Sequence, residues 1–446
     1  MRSIALHNLG CKVNGYEMDV MQQMLQERGY KIVPFDKIAD IYIINTCTVT
    51  NIADRKSRQM LHRARKMNPA AIVVAVGCYV QTGREEVMRD AGVDLAVGNN
   101  KKKDLPVILE EFIARREAGE GTAEQRKTLD DTTIVDIGHT GEFEDMRLEK
   151  TAGHTRAYIK IQDGCNQFCS YCIIPYARGR VRSREESSIL EEIRGMAGRG
   201  YQEVVLTGIH ISSYGMDRGS AGLPVLIRAI HGIDGIERIR LGSLEPGIIT
   251  GEFVNEMSEL PKLCPHFHLS LQSGCDNTLK RMNRHYTTGE YYEKVELLRR
   301  KFDHPAITTD VIVGFPGETE EEFAATRAFL EKIKFYEMHV FKYSKRKGTR
   351  AASMEHQVPE EVKAERSSLL LDMERADSKA YREYYIGKEE EVLFEEKKEI
   401  GGKVFQIGHT KQYVKVAKET GEALENRRKT GMITGFLTDE ILRMDF

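Results

Sequence analysis

Short apolar runs, each followed by a helical pattern, recur along the amino-terminal part of the chain. Three such runs occupy residues 3–9, 41–44 and 72–76. In the segments after them, 16–28, 54–66 and 84–90, apolar residues recur at helical spacing. Runs this short and this apolar are typical of parallel strands covered by helices on both faces. The repeated order of strand, loop and helix predicts a doubly wound parallel sheet, and thus an α/β fold.

A second series of strand-like runs occupies the middle of the chain. Helical segments such as 187–199 and 288–300 separate the runs. Six units of this kind predict a partial parallel (β/α) barrel of the TIM type, in which the loops at the carboxyl ends of the strands carry the active site. The six runs are YIKI, EVVLTG, RIRLGS, FHLSLQ, TTDVIVGFP and EMHVF.

Two changes in composition divide the chain. Residues 115–155 are polar and rich in glycine, which predicts a linker. After a charged helical stretch at 359–385, short apolar pairs alternate with glycines and charges, as in KVFQIG and MITGFL. That tail predicts a small all-β barrel. The predicted domains are 1–114, a linker at 115–150, 151–382 and 383–446.

Composition places the chain among globular proteins. Its 446 residues suggest two or three domains, and 41% of them are hydrophobic. The amino terminus does not have the pattern of a signal peptide, and no window approaches a membrane span. We therefore expect a cytoplasmic protein without a membrane partner. In that compartment, groups of cysteines hold metal or do catalysis more often than they form disulfides.

Six of the eight cysteines fall into two triplets, and the first is compact. Three residues and then two separate its members, a spacing unlike that of zinc fingers and ribbons. Three thiolates leave one iron of a cubane iron-sulfur cluster free for a substrate or cofactor, whereas a structural zinc site needs a fourth ligand, here His154 or His210. The compact triplet is Cys165, Cys169 and Cys172 in GCNQFCSYC.

The second triplet is dispersed, and each member follows one of the three amino-terminal apolar runs. These cysteines are Cys11, Cys47 and Cys78. The carboxyl ends of parallel strands meet at one edge of a sheet, so the pattern predicts that the three thiols converge on one crevice and hold a second cluster. The alternative is three unrelated buried thiols, because cysteine packs well in cores. Cys264 and Cys275 are expected to have small packing roles.

Basic residues are clustered, although the net charge of the whole chain is only -2. Four arginines alternate in ARGRVRSR directly after the compact triplet, and in an extended segment they would all point to one side and could hold phosphates. Two further basic runs and a lysine group around Tyr413 favour RNA as a binding partner. The alternative is that each basic run is an ordinary solvated face of the protein. The four arginines are Arg178, Arg180, Arg182 and Arg184. The other groups are Arg55, Lys56, Arg58, Arg63, Arg65 and Lys66; Lys342, Lys345, Arg346, Lys347 and Arg350; and Lys411, Lys415 and Lys418.

The loop GCNQFCSYCIIPYARG resembles the cluster-binding loop of radical S-adenosylmethionine enzymes. LGCKVN, NTCTVT and VGCYVQ resemble the amino-terminal domain of the methylthiotransferases, VIVGFPGETEEEF resembles a strand and loop of their barrel, and the tail resembles their TRAM domain. The resemblance implies two 4Fe-4S clusters, one on each triplet. The compact one would bind S-adenosylmethionine and generate a radical that takes a hydrogen from an adenine ring, and the other would deliver a methylated sulfide.

The resemblance and the placement of residues at strand ends also imply a cofactor pocket. Tyr171 occupies a position where the family commonly has an aromatic residue near the cofactor adenine. It could equally be a packed loop tyrosine. Polar groups at strand ends could likewise only satisfy the backbone. The other residues expected to line the pocket are Thr207, Gly208, Glu245, Gln272 and Gly314.

Within the family, HNLGCKVNGYE, INTCTVTN, KSRQ and HVFKYSKRKGT resemble the subtype that acts on threonylcarbamoyladenosine in tRNA. The alternatives are the subtypes that modify an aspartate of a ribosomal protein or isopentenyl adenosine in tRNA. A noncatalytic iron-sulfur or zinc protein that binds RNA is an alternative of another class. The expected partners are tRNA, S-adenosylmethionine, a reductase or flavodoxin-like electron donor, and a sulfur donor of unknown identity.

Overall fold

Five parallel strands form the amino-terminal sheet of the protein, whose computed structural model describes residues 1–119, 133–151, 155–219 and 222–446. The strands lie in the order β2-β1-β3-β4-β5. They are β1 Ser3–Asn8, β2 Lys31–Val33, β3 Ile41–Thr46, β4 Ile72–Gly77 and β5 Leu95–Val97. The helices are α1 Lys12–Glu27, α2 Asn51–Met67, α3 Cys78–Thr82, α4 Arg84–Arg89 and α5 Leu105–Glu117.

This sheet is buried on both faces. Ile43 and Val74 belong to the core on one face, and Ile44 and Val73 belong to the core on the other. Alternate residues of a strand point to opposite faces, so strands that are covered by helices on both sides need apolar residues at nearly every position. The prediction of a doubly wound sheet is confirmed, with its topological switch between β1 and β3.

Six parallel strands form the central domain. They make two three-stranded sheets, β6-β9-β10 and β11-β12-β13, which a bridge between Leu244 and Leu269 joins. The predicted partial barrel is confirmed, and the six strands coincide with the six apolar runs. They are β6 Ala157–Lys160, β9 Glu203–Thr207, β10 Arg238–Leu241, β11 His266–His268, β12 Ala306–Val313 and β13 Glu337–Lys342. A short antiparallel pair, β7 Gln162–Asp163 and β8 Arg182–Ser183, lies beside β6.

Helices lie between these strands and pack their apolar faces against the barrel wall. The helix Glu186–Gly198, for example, buries Ile189, Ile193 and Met196. A shorter helix, Ile174–Arg178, follows the compact triplet; we call it the connecting helix because it packs against α3 of the amino-terminal domain. The others are Gly222–His231, Gly251–Ser258, Asp276–Arg281, Thr288–Lys301, Glu320–Ile333 and Glu360–Glu383.

Part of the predicted linker is packed rather than free. Residues 120–132 and 152–154 lie outside the described residues, but 133–151 runs along both domains, and its Ile134, Met146 and Leu148 are buried. The backbone carbonyl of Met146 accepts a 2.5 Å hydrogen bond from the Tyr16 hydroxyl. This segment therefore ties the amino-terminal sheet to the barrel.

The tail forms a closed five-stranded barrel in the order β14-β15-β16-β18-β17, as its alternating pattern predicted. The strands are β14 Glu389–Ile400, β15 Lys403–His409, β16 Lys415–Glu419, β17 Arg428–Thr438 and β18 Ile441–Asp445. This barrel packs under the amino ends of the central strands, where Arg238 donates to the backbone carbonyl of His409 and Arg240 to that of Lys411. No helix in the described ranges has the length and apolar content needed to cross a bilayer.

Candidate cluster sites

The dispersed cysteines converge at one edge of the amino-terminal sheet. Cys11 is the N-cap residue of α1, Cys47 directly follows β3, and Cys78 is the first residue of α3 directly after β4. A Cβ atom at Gly10, whose φ is +111°, would lie 3.2 Å from the Cys47 Sγ atom. Only glycine therefore fits easily where the turn after β1 passes the end of β3.

Buried donors surround this site. The Arg178 Nε atom of the connecting helix lies 3.2 Å from the Cys78 Sγ atom, and the Asn99 Nδ2 atom lies 3.5 Å from it. Burial raises the pKa of the Cys47 thiol to about 11, so the free thiol is protonated at neutral pH, and a metal that binds this sulfur would have to displace the proton. Sequence reasoning did not assign Arg178 to this site, because 100 residues separate it from Cys78.

The compact cysteines lie at the carboxyl ends of the barrel strands. Their loop begins after β7 and is fixed by a backbone hydrogen bond of 3.0 Å from Cys165 N to Gly179 O. A Cβ atom at Gly164, with φ +73°, would lie 1.8 Å from the Arg180 carbonyl oxygen, so this close approach requires glycine. The loop thus has one defined path, which holds its three thiols at the mouth of the barrel.

An arginine also contacts this second set of thiols. The Arg284 Nη1 atom lies 3.2 Å from the Cys169 Sγ atom, and its Nη2 atom lies 2.8 and 2.6 Å from the two carboxylate oxygens of Glu245. Burial raises the pKa of Cys165 to about 11 and that of Cys172 to about 12. Each triplet therefore has one arginine on one of its sulfurs, and the sequence pattern had indicated neither.

Neither cysteine triplet has its three sulfurs as close together as the ligands of a single metal ion. Among the described residues, the one group of three metal-binding side chains with all ligand atoms within 4.8 Å of one another is His268, Asp310 and His339; neither cysteine triplet meets that limit. Each thiolate of a cubane ligates a different iron, so its sulfurs stand farther apart than the ligands of one zinc ion. All six cysteines are free thiols.

Of the two histidines considered as a fourth zinc ligand, the structure describes one. His154 lies outside the described residues. The His210 Nδ1 atom lies 2.6 Å from the Ser213 hydroxyl, and its Nε2 atom lies 3.8 Å from Glu245. His210 is therefore held by polar side chains beside the compact triplet.

The predicted cofactor-pocket residues lie along the same carboxyl edge of the barrel. Tyr171 packs edge-on against Phe315, with ring centroids 6.4 Å apart. Thr207 ends β9 and Gly208 follows it, Glu245 lies beyond the end of β10, and Gln272 bridges to β12 through hydrogen bonds to the backbone of Asp310 and Ile312. A Cβ atom on Gly314 would meet the Lys363 side chain at 2.3 Å. Packing thus explains the glycine, and the cofactor contacts of the whole set stay predictions.

One of the four arginines in ARGRVRSR is exposed, and the other three are not. Arg178, Arg182 and Arg184 are each at most 1% exposed and pair with buried carboxylates. A phosphate would have to displace internal ion pairs to reach them. This corrects the expectation that all four point to one phosphate-binding side. Arg180 is the member at the surface.

Around Arg180 the surface is both aromatic and basic. The guanidinium carbon of Arg180 lies 4.4 Å from the centroid of the Phe168 ring, which packs edge-on against the half-exposed Tyr176. A groove of about 770 Å³ runs from Tyr176 to α2 and Lys347, so it joins the second and third basic runs. Their exposed members are Arg55, Lys56, Arg63 and Lys66, and Lys342, Lys345, Lys347 and Arg350.

Tyr413 is only partly exposed, because it packs in the contact between the tail and the central barrel. Its ring stacks between His266 and His409, at centroid distances of 5.0 and 4.4 Å. The Lys411 ammonium donates to the carbonyl of Pro261. This part of the predicted lysine group therefore belongs to the contact between the two barrels.

Comparisons with known proteins agree with this architecture. Residues 159–330 match the Radical SAM superfamily, and residues 3–98 match the uncharacterized protein family UPF0004. The chain is 39% identical to the threonylcarbamoyladenosine tRNA methylthiotransferase MtaB of Bacillus subtilis over 93% of this chain and 90% of that one. It is 40% identical to the Aquifex aeolicus protein of the same name over 87% of this chain and 92% of that one.

A relative with another substrate is also similar. The tRNA-2-methylthio-N(6)-dimethylallyladenosine synthase of Acetivibrio thermocellus is 36% identical over 90% of this chain and 82% of its own. Among solved structures, the radical S-adenosylmethionine methyltransferase TsrM from Kitasatospora setae has a TM-score of 0.53 at 17% identity. The match covers 76% of this chain and 75% of that one. At that identity the likeness concerns the fold.

Proposed function

This chain belongs to the radical S-adenosylmethionine methylthiotransferases, and we propose that it inserts a methylthio group at carbon 2 of N6-threonylcarbamoyladenosine in tRNA. The observation that carries the proposal is the pair of three-cysteine sites on either side of the contact between α3 and the connecting helix. One site can make a radical and the other can hold sulfur. Relatives named for this substrate, 37–40% identical to the chain, support its choice.

The clusters would be held by the two triplets, Cys165, Cys169 and Cys172 in the barrel and Cys11, Cys47 and Cys78 in the sheet. When bound, they and S-adenosylmethionine supply the radical and the sulfur that an unactivated C–H bond requires. The protein contributes position and charge. Arg284 links Cys169 to Glu245, so one arginine orients both a cluster ligand and a predicted cofactor contact. A reductase or flavodoxin-like protein would provide the electron.

The substrate is tested by mass spectrometry of tRNA nucleosides. Cells without this gene are expected to lose the methylthio form of threonylcarbamoyladenosine and to accumulate its unmodified precursor. Reintroducing the gene should restore the product, whereas a gene encoding Cys169→Ala should not. Unchanged nucleosides in the deletion strain would reject this substrate, and loss of a methylthiolated isopentenyl adenosine would favour the alternative tRNA subtype.

Arg180 is expected to contribute to tRNA binding without deciding which base is modified. Arg180→Ala should raise the Kd for tRNA about 3- to 10-fold and reduce the slope of log K against log salt by about 1, because one phosphate contact is lost. Binding at several salt concentrations measures both. Arg327→Ala is the matched control, since Arg327 is half-exposed on the helix Glu320–Ile333 and pairs with Glu331. Equal effects of the two substitutions would place the RNA elsewhere.

A further inference from the structure

The end of the connecting helix contacts both cysteine triplets. Arg178, the last residue of this helix, donates from its Nε atom to the Cys78 Sγ atom of the dispersed triplet, at 3.2 Å. The next residue, Gly179, accepts through its backbone carbonyl the 3.0 Å hydrogen bond from Cys165 N in the compact triplet. Two adjacent residues thus link a sulfur of one site to the backbone of the other.

Asn99 strengthens this link from the amino-terminal domain. Its buried side chain follows β5, and its Nδ2 atom donates to the carbonyl of Ala177 in the connecting helix at 2.6 Å. The same Nδ2 atom lies 3.5 Å from the Cys78 Sγ atom. The sulfur of Cys78 therefore faces polar N–H groups from both domains.

The guanidinium of Arg178 is fixed in the orientation that directs its Nε–H at Cys78. Its two terminal nitrogens face the two carboxylate oxygens of Glu17, and Nη2 lies 2.9 Å from Oε2. Nη1 also lies 3.1 Å from Asp163, and Nη2 donates to the side-chain oxygen of Asn14. A planar guanidinium that is held at both terminal nitrogens cannot turn its third N–H away. Partners on α1 and β7 thus impose the contact with the sulfur.

The buried ion pairs around Arg178 leave one positive charge uncompensated. Three cations share two carboxylates there, and all five side chains are at most 4% exposed: Lys102, Lys160 and Arg178, with Glu17 and Asp163. Two further buried groups, Arg182 beside Asp163 and Glu144 beside the backbone of Lys103, add one charge of each sign. A buried charge without a partner is costly. A thiolate at Cys78, bonded to Arg178, supplies the missing negative charge.

We propose that Arg178 is a positioning residue of the dispersed site, where it holds the Cys78 sulfur as a thiolate ligand and makes the bound cluster easier to reduce. The inference rests on the proposed function and deepens it, because it gives a residue of the barrel domain a role at the sulfur-carrying site. Hydrogen bonds to the sulfurs and nearby charge help to set the reduction potential of an iron-sulfur cluster. A donor and a surplus positive charge both stabilise its reduced, more negative form.

The test measures the reduction potentials of both clusters in the full chain after anaerobic reconstitution. The titration is followed by electron paramagnetic resonance, and the signal that Cys78→Ala removes identifies the dispersed cluster. Arg178→Gln should lower the equilibrium constant for one-electron reduction of that cluster about 10-fold, which equals about 59 mV. The compact cluster should keep its potential. Arg178→Lys, which keeps the charge but lacks the Nε–H group, should shift the dispersed cluster in the same direction by less.

Arg184→Gln is the matched control, since Arg184 is equally buried in the same segment but pairs with Asp145 and Glu192. It should lower the melting temperature and leave both potentials unchanged. Loss of the dispersed cluster from Arg178→Gln alone would also support the inference, because the control keeps its iron.

An unchanged potential in Arg178→Gln with full iron content would overturn the inference. So would equal loss of iron from Arg178→Gln and Arg184→Gln, because packing would then be the cause. If Arg178→Gln does not fold, Arg178→Lys decides, and an unchanged potential there has the same meaning. A wild type that holds only about four irons per chain would instead reject the second cluster of the proposed function.

Discussion

Cys78→Ala should leave reductive cleavage of S-adenosylmethionine close to wild type while it lowers methylthio insertion by at least about 100-fold. Cys78 lies in the amino-terminal sheet, where its sulfur accepts from Arg178 and Asn99. The compact loop is held by backbone hydrogen bonds to Gly179 and Met282, and neither bond involves the Cys78 side chain. Removing Cys78 therefore takes a ligand from one site without disturbing the path of the other.

Cys169→Ala should stop both cleavage and insertion, because the sulfur it removes belongs to the site that makes the radical. The two products, 5'-deoxyadenosine and methylthiolated RNA, are measured in one reaction by mass spectrometry, with iron content measured alongside. Cys275→Ala is the control, since this cysteine lies outside both triplets and should leave both products unchanged. Normal insertion by Cys78→Ala would show that the dispersed triplet holds no functional cluster.

Glu17→Gln is expected to destabilise the protein by about 3 to 5 kcal/mol. Glu17 is fully buried on α1 and accepts from Lys102, Lys160 and Arg178, which come from both domains. Neutralising it leaves three buried cations without their shared anion. Thermal unfolding of the anaerobic protein measures the loss. Glu110→Gln removes an exposed pair with Arg28 and should change stability by less than about 1 kcal/mol.

The same network predicts acid sensitivity. Burial alone would raise the pKa of the Glu17 carboxyl, but the cations Arg178, Lys102 and Lys160 outweigh it and hold this pKa well below its usual value. Lys160 and two arginines likewise lower the pKa of the buried Asp163. A carboxyl whose folded pKa is depressed contributes stability above its unfolded pKa and loses it as pH falls. The melting temperature should therefore fall below about pH 4.5, and less steeply in Glu17→Gln. If the melting temperatures of the wild type and Glu17→Gln fell equally steeply with pH, protonation of Glu17 would be excluded as the cause.

Local pattern was enough to predict the strands and the succession of a parallel sheet, a partial barrel and a small β-barrel along the chain. A buried parallel strand must be apolar, and a ligand at its carboxyl end must follow within a few residues. Local pattern could not predict the two arginines that contact cysteine sulfurs. Arg284 is 115 residues from Cys169, and Arg178 is 100 residues from Cys78. Contacts at such separations depend on how the domains pack, which periodicity does not encode.

The arginine run shows where the pattern misled. The segment runs through the interior of the protein, and residues 181–184 are all buried. Asp163 and Glu192 supply carboxylates there from neighbouring elements, and they pair with Arg182 and Arg184. An alternating basic segment is compatible with either solvent or an internal acid cluster, and only the packed structure distinguishes them.

Tyr413 lies where the small carboxy-terminal barrel covers the end of the central barrel. Its ring lies between two histidines and against two arginines, so the tail covers the amino ends of the central strands, although an open cavity of about 570 Å³ still reaches Tyr413 and Arg156. Cutting the chain before β14 would expose Arg240 and His266, which are buried in the intact protein, to bulk water. A truncated enzyme would then lose activity even on a short RNA that never touches the tail. Its inactivity would reflect the entry of water beneath the central barrel and not the loss of a tRNA-binding surface.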